Sequence, residues 1–352
     1  MGLIKSLKDI SLIGIGDITA SGVSAIFWFY LATLILPSEY GQIHYFISIA
    51  AIASTFSLIG QQHTITVYIS KNKTVISTLF LASILCSIVS FIVLSLFFDR
   101  FDIGLLVIGF VLFSNGIASN LGYQNFKKYT IYSVLQKSLM VIFALGMYYF
   151  FGIEWILLGI ALSYFVYSKV FLDGLTKFKI DFSQLKNHKK FISSNYFIML
   201  TNIVTTQVDK LLIVPILGFT VLGNYSLAIQ VITVMSILPS VVFKYILPQS
   251  SRGVQDKKLR RDTILVSFLL AGIGIFVLPT IIPDFVPLTL FFPIQTIVLT
   301  ESTATSYISS TAFLISILFA FLSTTKAKRL YFSLWSVIFS VITGFLIILI
   351  IT

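Results

Sequence analysis

Charge-poor apolar runs of 18 or more residues recur from one end of the chain to the other, and no other feature limits the fold as strongly. As a helix rising 1.5 Å per residue, such a run is long enough to cross the roughly 30 Å of hydrocarbon in a bilayer. In lipid, only α-helices and closed barrels satisfy every backbone N–H and C=O. Barrel strands alternate apolar and polar side chains over about ten residues. The runs here are longer and continuously apolar, so the sequence reads as all-α, a polytopic transmembrane helical bundle. Composition agrees: 57% of the 352 residues are hydrophobic and 11% charged, against about 25% charged in a soluble domain.

Apolar runs between hydrophilic breaks place eleven spans near 11–36, 41–69, 74–98, 101–123, 129–152, 154–175, 190–217, 221–248, 263–282, 294–323 and 330–351. Cytoplasmic connections should then be richer in Lys and Arg than external ones. Lys5 and Lys8, Lys71 and Lys73, Lys127 and Lys128, the stretch from Lys177 to Lys190, Arg252 to Arg261, and Lys326 to Arg329 all fall on one side. Glu39, Asp99, Arg100, Asp102, Glu154 and Asp284 fall on the other. The N-terminus is therefore expected in the cytoplasm and, with eleven spans, the C-terminus outside. The net charge of +11 reads as topology and not as a nucleic-acid surface. The first apolar run extends well past a signal-peptide core and reads as a retained helix.

The longest cytoplasmic connection, about 176–190, divides the chain almost in the middle. An internal repeat coincides with that division. The segment from Leu34 to Gly41 lines up with that from Ile216 to Gly223, the closing glycines 182 residues apart; each is followed by a further span. Six crossings separate the copies, so both halves share one orientation and are expected to be related by a pseudo-two-fold axis along the membrane normal. The expected organisation is two six-helix-type lobes, 1–182 with spans one to six and 183–352 with spans seven to eleven, the second lacking its last helix.

Ionisable residues inside the spans are the strongest functional signal, since each is expensive at the bilayer centre unless it faces protein, water or a partner. Six stand out: Asp17, Lys137, Asp209, Lys210, Lys244 and Glu301. Asp17 lies about 9 Å and Lys137 about 12 Å inside the cytoplasmic ends of their spans. Lys244 is close enough to its cytoplasmic end to snorkel. Asn195, Asn202 and Asp209 recur every seven residues and give the seventh span a polar stripe, so Asn202 joins the candidates. Asp17, Ser21 and Ser24 form a shorter stripe beside Gly14, Gly16 and Gly22, which permit close helix approach. Interhelical hydrogen bonding that only holds the bundle together explains such stripes as well, at about 0.6 kcal/mol per contact.

Several chemistries are absent from the sequence. No GxxxxGK[ST] loop is present, and His44, His63 and His188 have no metal-ligand partners at usable spacing. Cys86 is the only cysteine, which excludes an internal disulfide. No nucleophile elbow occurs, so neither an enzymatic activity nor a cofactor or metal is expected.

The segment Leu31 to Gly41, with Ser48, Ile49 and Gly60, resembles the first two helices of the polysaccharide biosynthesis export family, the O-antigen flippases of the multidrug/oligosaccharidyl-lipid/polysaccharide exporter superfamily. The run Gln207 to Ile213, then Gly223 to Tyr225, Ala228, Pro239 and Pro248, is similar to that family's seventh and eighth helices. The chain departs from the family in ending before a twelfth span and in carrying lysines where the family's cavity is often rich in arginine. The resemblance implies a flippase that moves a lipid-linked oligosaccharide or polysaccharide precursor from the cytoplasmic to the outer leaflet of the cell membrane by alternating access. It further implies a phosphate- or pyrophosphate-linked sugar as substrate head. Lys137, Lys210 and Lys244 would offset its charge, and Asp17 or Asp209 would carry a coupling proton or cation. Membrane lipids and glycan-assembly enzymes are the implied partners. Two alternatives stay open: a cation-coupled multidrug antiporter of the same superfamily, and a non-transporting membrane assembly factor.

Single cysteines introduced at residues 72, 127, 186, 257 and 327 should be labelled only from the cytoplasmic side, and those at 39, 102 and 284 from outside. External labelling at 327 would make 283–325 cross twice and give twelve spans.

Overall fold

A computed structural model of the chain describes residues 3–59, 62–71, 73–235, 241 and 244. The expected spans from 263 onward lie outside these residues, as does Glu301. The chain divides into two compact units, one of Met1–Leu200 with Lys210–Asp256, the other of Thr201–Asp209 with Lys257–Thr352. Only Thr201–Asp209 of the second unit is described.

Among the described residues there is no strand, and ten α-helices follow one another: α1 Leu3–Leu34, α2 Pro37–Ser57, α3 Gln62–Ser70, α4 Ile76–Phe98, α5 Phe101–Gly122, α6 Phe126–Phe151, α7 Ile156–Ser163, α8 Ser168–Leu175, α9 Ser183–Ile203 and α10 Asp209–Met235. Local chemistry sets their ends. Pro37 opens α2 at a position where its missing N–H is not needed, and the Glu39 carboxylate accepts the Leu36 N–H at 2.8 Å. Asp99 adopts a left-handed conformation, with φ 51°, and turns the chain from α4 into α5. The Asn125 side chain caps α6 by accepting the Lys128 N–H, and Gly152, with φ 94°, follows its end.

Six helices are long and apolar enough to cross a membrane, seven if α2 and α3 form one bent span. Those two lie at 43° to each other, because Leu58 leaves helical geometry, so the expected span 41–69 is a broken one. Helices α7 and α8 join through a 3-10 turn at Tyr164–Tyr167 into one crossing, Ile153–Leu175. Helix α10 is one of these long apolar helices but contains Gly218 at φ 83° and ψ 173°. That backbone cannot continue a helix, so the run turns at Gly218 rather than crossing in one piece, where the sequence placed a break between two spans.

Lipid-facing and protein-facing positions separate cleanly. Leu96, Phe97 and Phe150 are among the most exposed side chains, which in a bilayer means contact with acyl chains. Helix α5 is the opposite case, buried along most of its length, and packs against α2, α3, α4 and α7. Of the polar groups it brings inside, Asn115 donates to Ser83 Oγ at 2.9 Å. Gln136 of α6 likewise donates to Ser163 Oγ at 2.9 Å. At one end of the bundle Arg100 pairs with Asp102 at 2.7 Å, donates to the Glu154 carbonyl and lies over the Phe46 ring. At the other, Ser77 and Thr78 accept the N–H groups of Phe178 and Asp181 and hold the connection that leads to α9.

The two glycines that close the internal repeat meet in space. A Cβ on Gly41 would overlap the Phe219 carbonyl and lie 2.9 Å from the Gly223 nitrogen, while one on Gly223 would overlap the Pro37 carbonyl. Tyr45 and Phe219 stack edge-on beside this contact. Two backbones therefore touch at corresponding positions of the two copies, an approach open only to residues without a side chain. Because the obstructing atoms are backbone, no rotamer change relieves the overlap. Gly41→Ala and Gly223→Ala should each destabilise the purified protein by about 1–3 kcal/mol. Gly22→Ala, where a Cβ meets nothing within 4 Å, should be neutral or stabilising by up to about 1 kcal/mol. Thermal unfolding in detergent measures all three.

Candidate functional site

Gly16 determines how α1 meets α6. A Cβ there would come within 3.1 Å of the Thr130 Cα, so the two helices approach to near backbone contact. Thr130 Oγ1 donates to the Leu12 carbonyl at 2.6 Å across the same contact. The neighbouring residues are thereby brought face to face. Asp17 accepts a hydrogen bond from the Tyr129 hydroxyl at 2.5 Å on Oδ1.

Lys244 completes the cluster. Its ammonium donates to Asp17 Oδ2 at 2.8 Å and to the Tyr129 hydroxyl at 2.7 Å, with the Tyr129 ring 5.3 Å away. Each group satisfies the others: the carboxylate receives two donors on its two oxygens, and the phenol donates one bond and accepts another. Tyr129 is buried. The side chain of Asp17 is 8% exposed, whereas that of Lys244 is 25% exposed, so the pair is open to solvent from its cationic end only. This is one closed interaction between residues 227 positions apart.

The other sequence-predicted residues sit apart from this cluster. Lys137 lies about 17 Å along α6 from Phe126. It is half-buried, and among the described residues it has no hydrogen-bond or ion-pair partner. Lys210 is half-buried in the first turns of α10 and lies within electrostatic reach of His44, whose ring meets those of Trp28 and Tyr40 at a tilt. Asp209 is half-buried at the start of α10, directly after a π-helical turn at Val204–Val208. Each residue of that turn advances less than the 100° of an α-helix, so the seven-residue spacing does not keep Asp209 in register with Asn202. Asn195 turns its amide back onto its own helix, donating to the Phe191 carbonyl at 2.8 Å. Among the described residues no group of His, Cys, Asp or Glu could hold a metal ion.

Tyr129 is the member of the cluster that sequence reasoning missed. A tyrosine near a span end reads as an interfacial anchor. The signal that could have singled it out is the Tyr129-Thr130 pair, one residue for Asp17 and the next for Gly16, set against each other where the two helices touch.

A helical bundle with a charged cluster buried between its spans defines a multi-pass membrane protein. Residues 30–301 match the family described as polysaccharide biosynthesis protein, and the chain belongs to that family. A comparison with curated proteins returns no match. Among solved structures, the fold is similar to one described as protein A, with TM-score 0.65 and 14% identity over 97% of this chain and 94% of that one. It is also similar to the MATE multidrug transporter DinF-BH, with TM-score 0.58 and 12% identity over 99% and 95% of the two chains. A third is a MATE in complex with MaL6, with TM-score 0.54 and 14% identity over 97% and 86%. At these identities the likeness establishes the fold.

The unequal exposure of the ion pair gives its two ends different consequences on mutation. Lys244→Met leaves the buried Asp17 carboxylate with Tyr129 alone, and should destabilise the protein by about 3 kcal/mol. Asp17→Asn leaves a lysine that already reaches solvent, and should cost about 1 kcal/mol or less. The double variant Asp17→Asn/Lys244→Met should be more stable than Lys244→Met alone. Detergent-solubilised melting temperatures and membrane abundance of the three variants test the ordering.

Proposed function

We propose that the protein is a flippase that moves a lipid-linked oligosaccharide or polysaccharide precursor from the cytoplasmic to the outer leaflet of the cell membrane. The reading makes it a transporter, not an enzyme, with lobes 1–182 and 183–352 rocking about a central cavity. Family membership supports the substrate class, and the observation that carries the site is Lys137. An ammonium halfway along a span is costly in hydrocarbon. Three donors without an acceptor among the described residues are suited to an anion supplied from elsewhere. A phosphate- or pyrophosphate-linked sugar supplies that anion. The lysine at 210 and the one at 244 contribute to the same positive field, while Asp209, Asn202 and Glu301 remain candidates for the polar lining and for coupling. In this reading the N-terminus lies in the cytoplasm, and membrane lipids and glycan-assembly enzymes are the partners.

A cation-coupled multidrug antiporter is the second reading, favoured by the fold shared with MATE transporters. It would need a free acidic group to meet a cationic substrate, and the Asp17 carboxylate is already met by Lys244.

The two readings separate at Lys137. Lys137→Met should leave the protein inserted at normal abundance and lower export of the lipid-linked glycan by about tenfold, one charge-assisted contact of about 1.4 kcal/mol. Lys137→Arg should retain most of it. Unchanged glycan export in Lys137→Met, together with raised accumulation of cationic dyes in cells lacking the protein, would favour the antiporter.

A further inference from the structure

We infer that Lys244 is a tethered cation shared between two anions: it holds Asp17 when the site is empty and is drawn away by the phosphate of an incoming substrate. Phosphate binding and release of α1 are then a single event. The inference rests on the flippase reading and adds to it the switch by which the substrate is sensed.

Three observations carry it. The Asp17 carboxylate is nearly closed off, its Oδ1 accepting from Tyr129 at 2.5 Å, its Oδ2 from Lys244 at 2.8 Å, and its side chain 8% exposed. The ammonium is not closed off. It has three donors, of which Asp17 and the Tyr129 hydroxyl take two, and 25% of the Lys244 side chain is exposed. An anion therefore reaches this pair at Lys244 and nowhere else. Finally, the two partners differ in freedom. Asp17 is a short side chain on a helix wedged against Thr130 at Gly16, whereas lysine swings on a four-carbon stem. When a competitor binds, Lys244 moves and Asp17 stays with Tyr129.

A phosphate competes well for such an ammonium. It brings up to two negative charges and several acceptor oxygens against the single charge of a carboxylate. Tyr129 is the positioning residue: its hydroxyl sits between carboxylate and ammonium and fixes both in the empty state. Because Lys244 is 227 residues from Asp17, its departure unties α1 from a distant part of the chain.

The full chain in detergent tests this with geranyl pyrophosphate as probe, inorganic pyrophosphate as the headgroup alone and geraniol as the uncharged control. Hydrogen exchange of residues 12–20 reports on α1, and equilibrium binding reports on affinity. In the wild type, saturating geranyl pyrophosphate should speed exchange in 12–20 by about fivefold, the loss of one ion pair. Inorganic pyrophosphate producing the same change supports a switch worked by phosphate from either source, and geraniol should produce none. Asp17→Asn removes the competing anion and should bind geranyl pyrophosphate about fivefold tighter than wild type. A purely structural ion pair predicts equal or weaker binding in that variant. Binding to the wild type without faster α1 exchange, or Asp17→Asn binding no tighter, overturns the switch and leaves the flippase reading intact. An effect of geraniol overturns it as well. No binding of either pyrophosphate to wild type or variant overturns both.

Discussion

A charge inside a membrane-spanning bundle has to be met by a partner, and the cluster of Asp17, Tyr129 and Lys244 is where this chain meets that demand most completely. The Asp17 side chain is 8% exposed, so water solvates its carboxylate poorly, and an isolated one would be strongly disfavoured. Tyr129 and Lys244, from separate parts of the sequence, supply the solvation instead at 2.5 and 2.8 Å, and bond each other at 2.7 Å. Such a cluster is weak evidence for stability as such, because the desolvation of both ions offsets much of their attraction. It is better evidence for specificity: α1 and α6 can slide or rotate against each other only by giving up these bonds.

Close backbone contact is what makes that geometry reachable. In lipid there is no hydrophobic force pushing one helix against another, so packing depends on surfaces that fit and on polar groups that pair. The Gly16 contact with Thr130 provides the fit at one depth and the Gly41 contact with Gly223 provides it at another. Between them, hydroxyl and amide pairs such as Asn115 with Ser83 and Gln136 with Ser163 fix the rotation of buried helices. The clasp of Arg100, Asp102 and Glu154 at one end and that of Ser77 and Thr78 on residues 178–181 at the other hold the connecting turns.

The helices were legible in the sequence because each depends on local information: an apolar run of sufficient length, bounded by Pro37, Asp99, Asn125 or Gly152. The two glycines aligned as strings, Gly41 and Gly223, turn out to touch. Asp17 and Lys244 stood out because an ionisable residue in an apolar run is conspicuous. Their pairing did not, since it depends on how helices 227 residues apart pack, which no local pattern encodes. Tyr129 was hidden by its ordinary place near a span end. The stripe drawn through Asn195, Asn202 and Asp209 assumed an unbroken α-helix, and the π-helical turn at Val204–Val208 removes that assumption. The bend between α2 and α3 was hidden in the same way, inside a run whose apolar composition continues across it.

On the flippase reading, the contrast between two lysines follows from what an alternating carrier must do. A cavity that binds an anion needs positive charge facing it, yet the empty carrier must also return, and every unmatched charge then raises the barrier to moving through the low-dielectric interior. In the inferred switch, Lys244 and Asp17 together carry no net charge, and the ammonium meets a substrate anion only by leaving the carboxylate. On the same reading, Lys137, with no partner among the described residues, is the standing attraction for the substrate. On the proposed reading, one lysine recruits the phosphate and the other registers its arrival. The division between them lies in whether a carboxylate was placed within 2.8 Å of the ammonium.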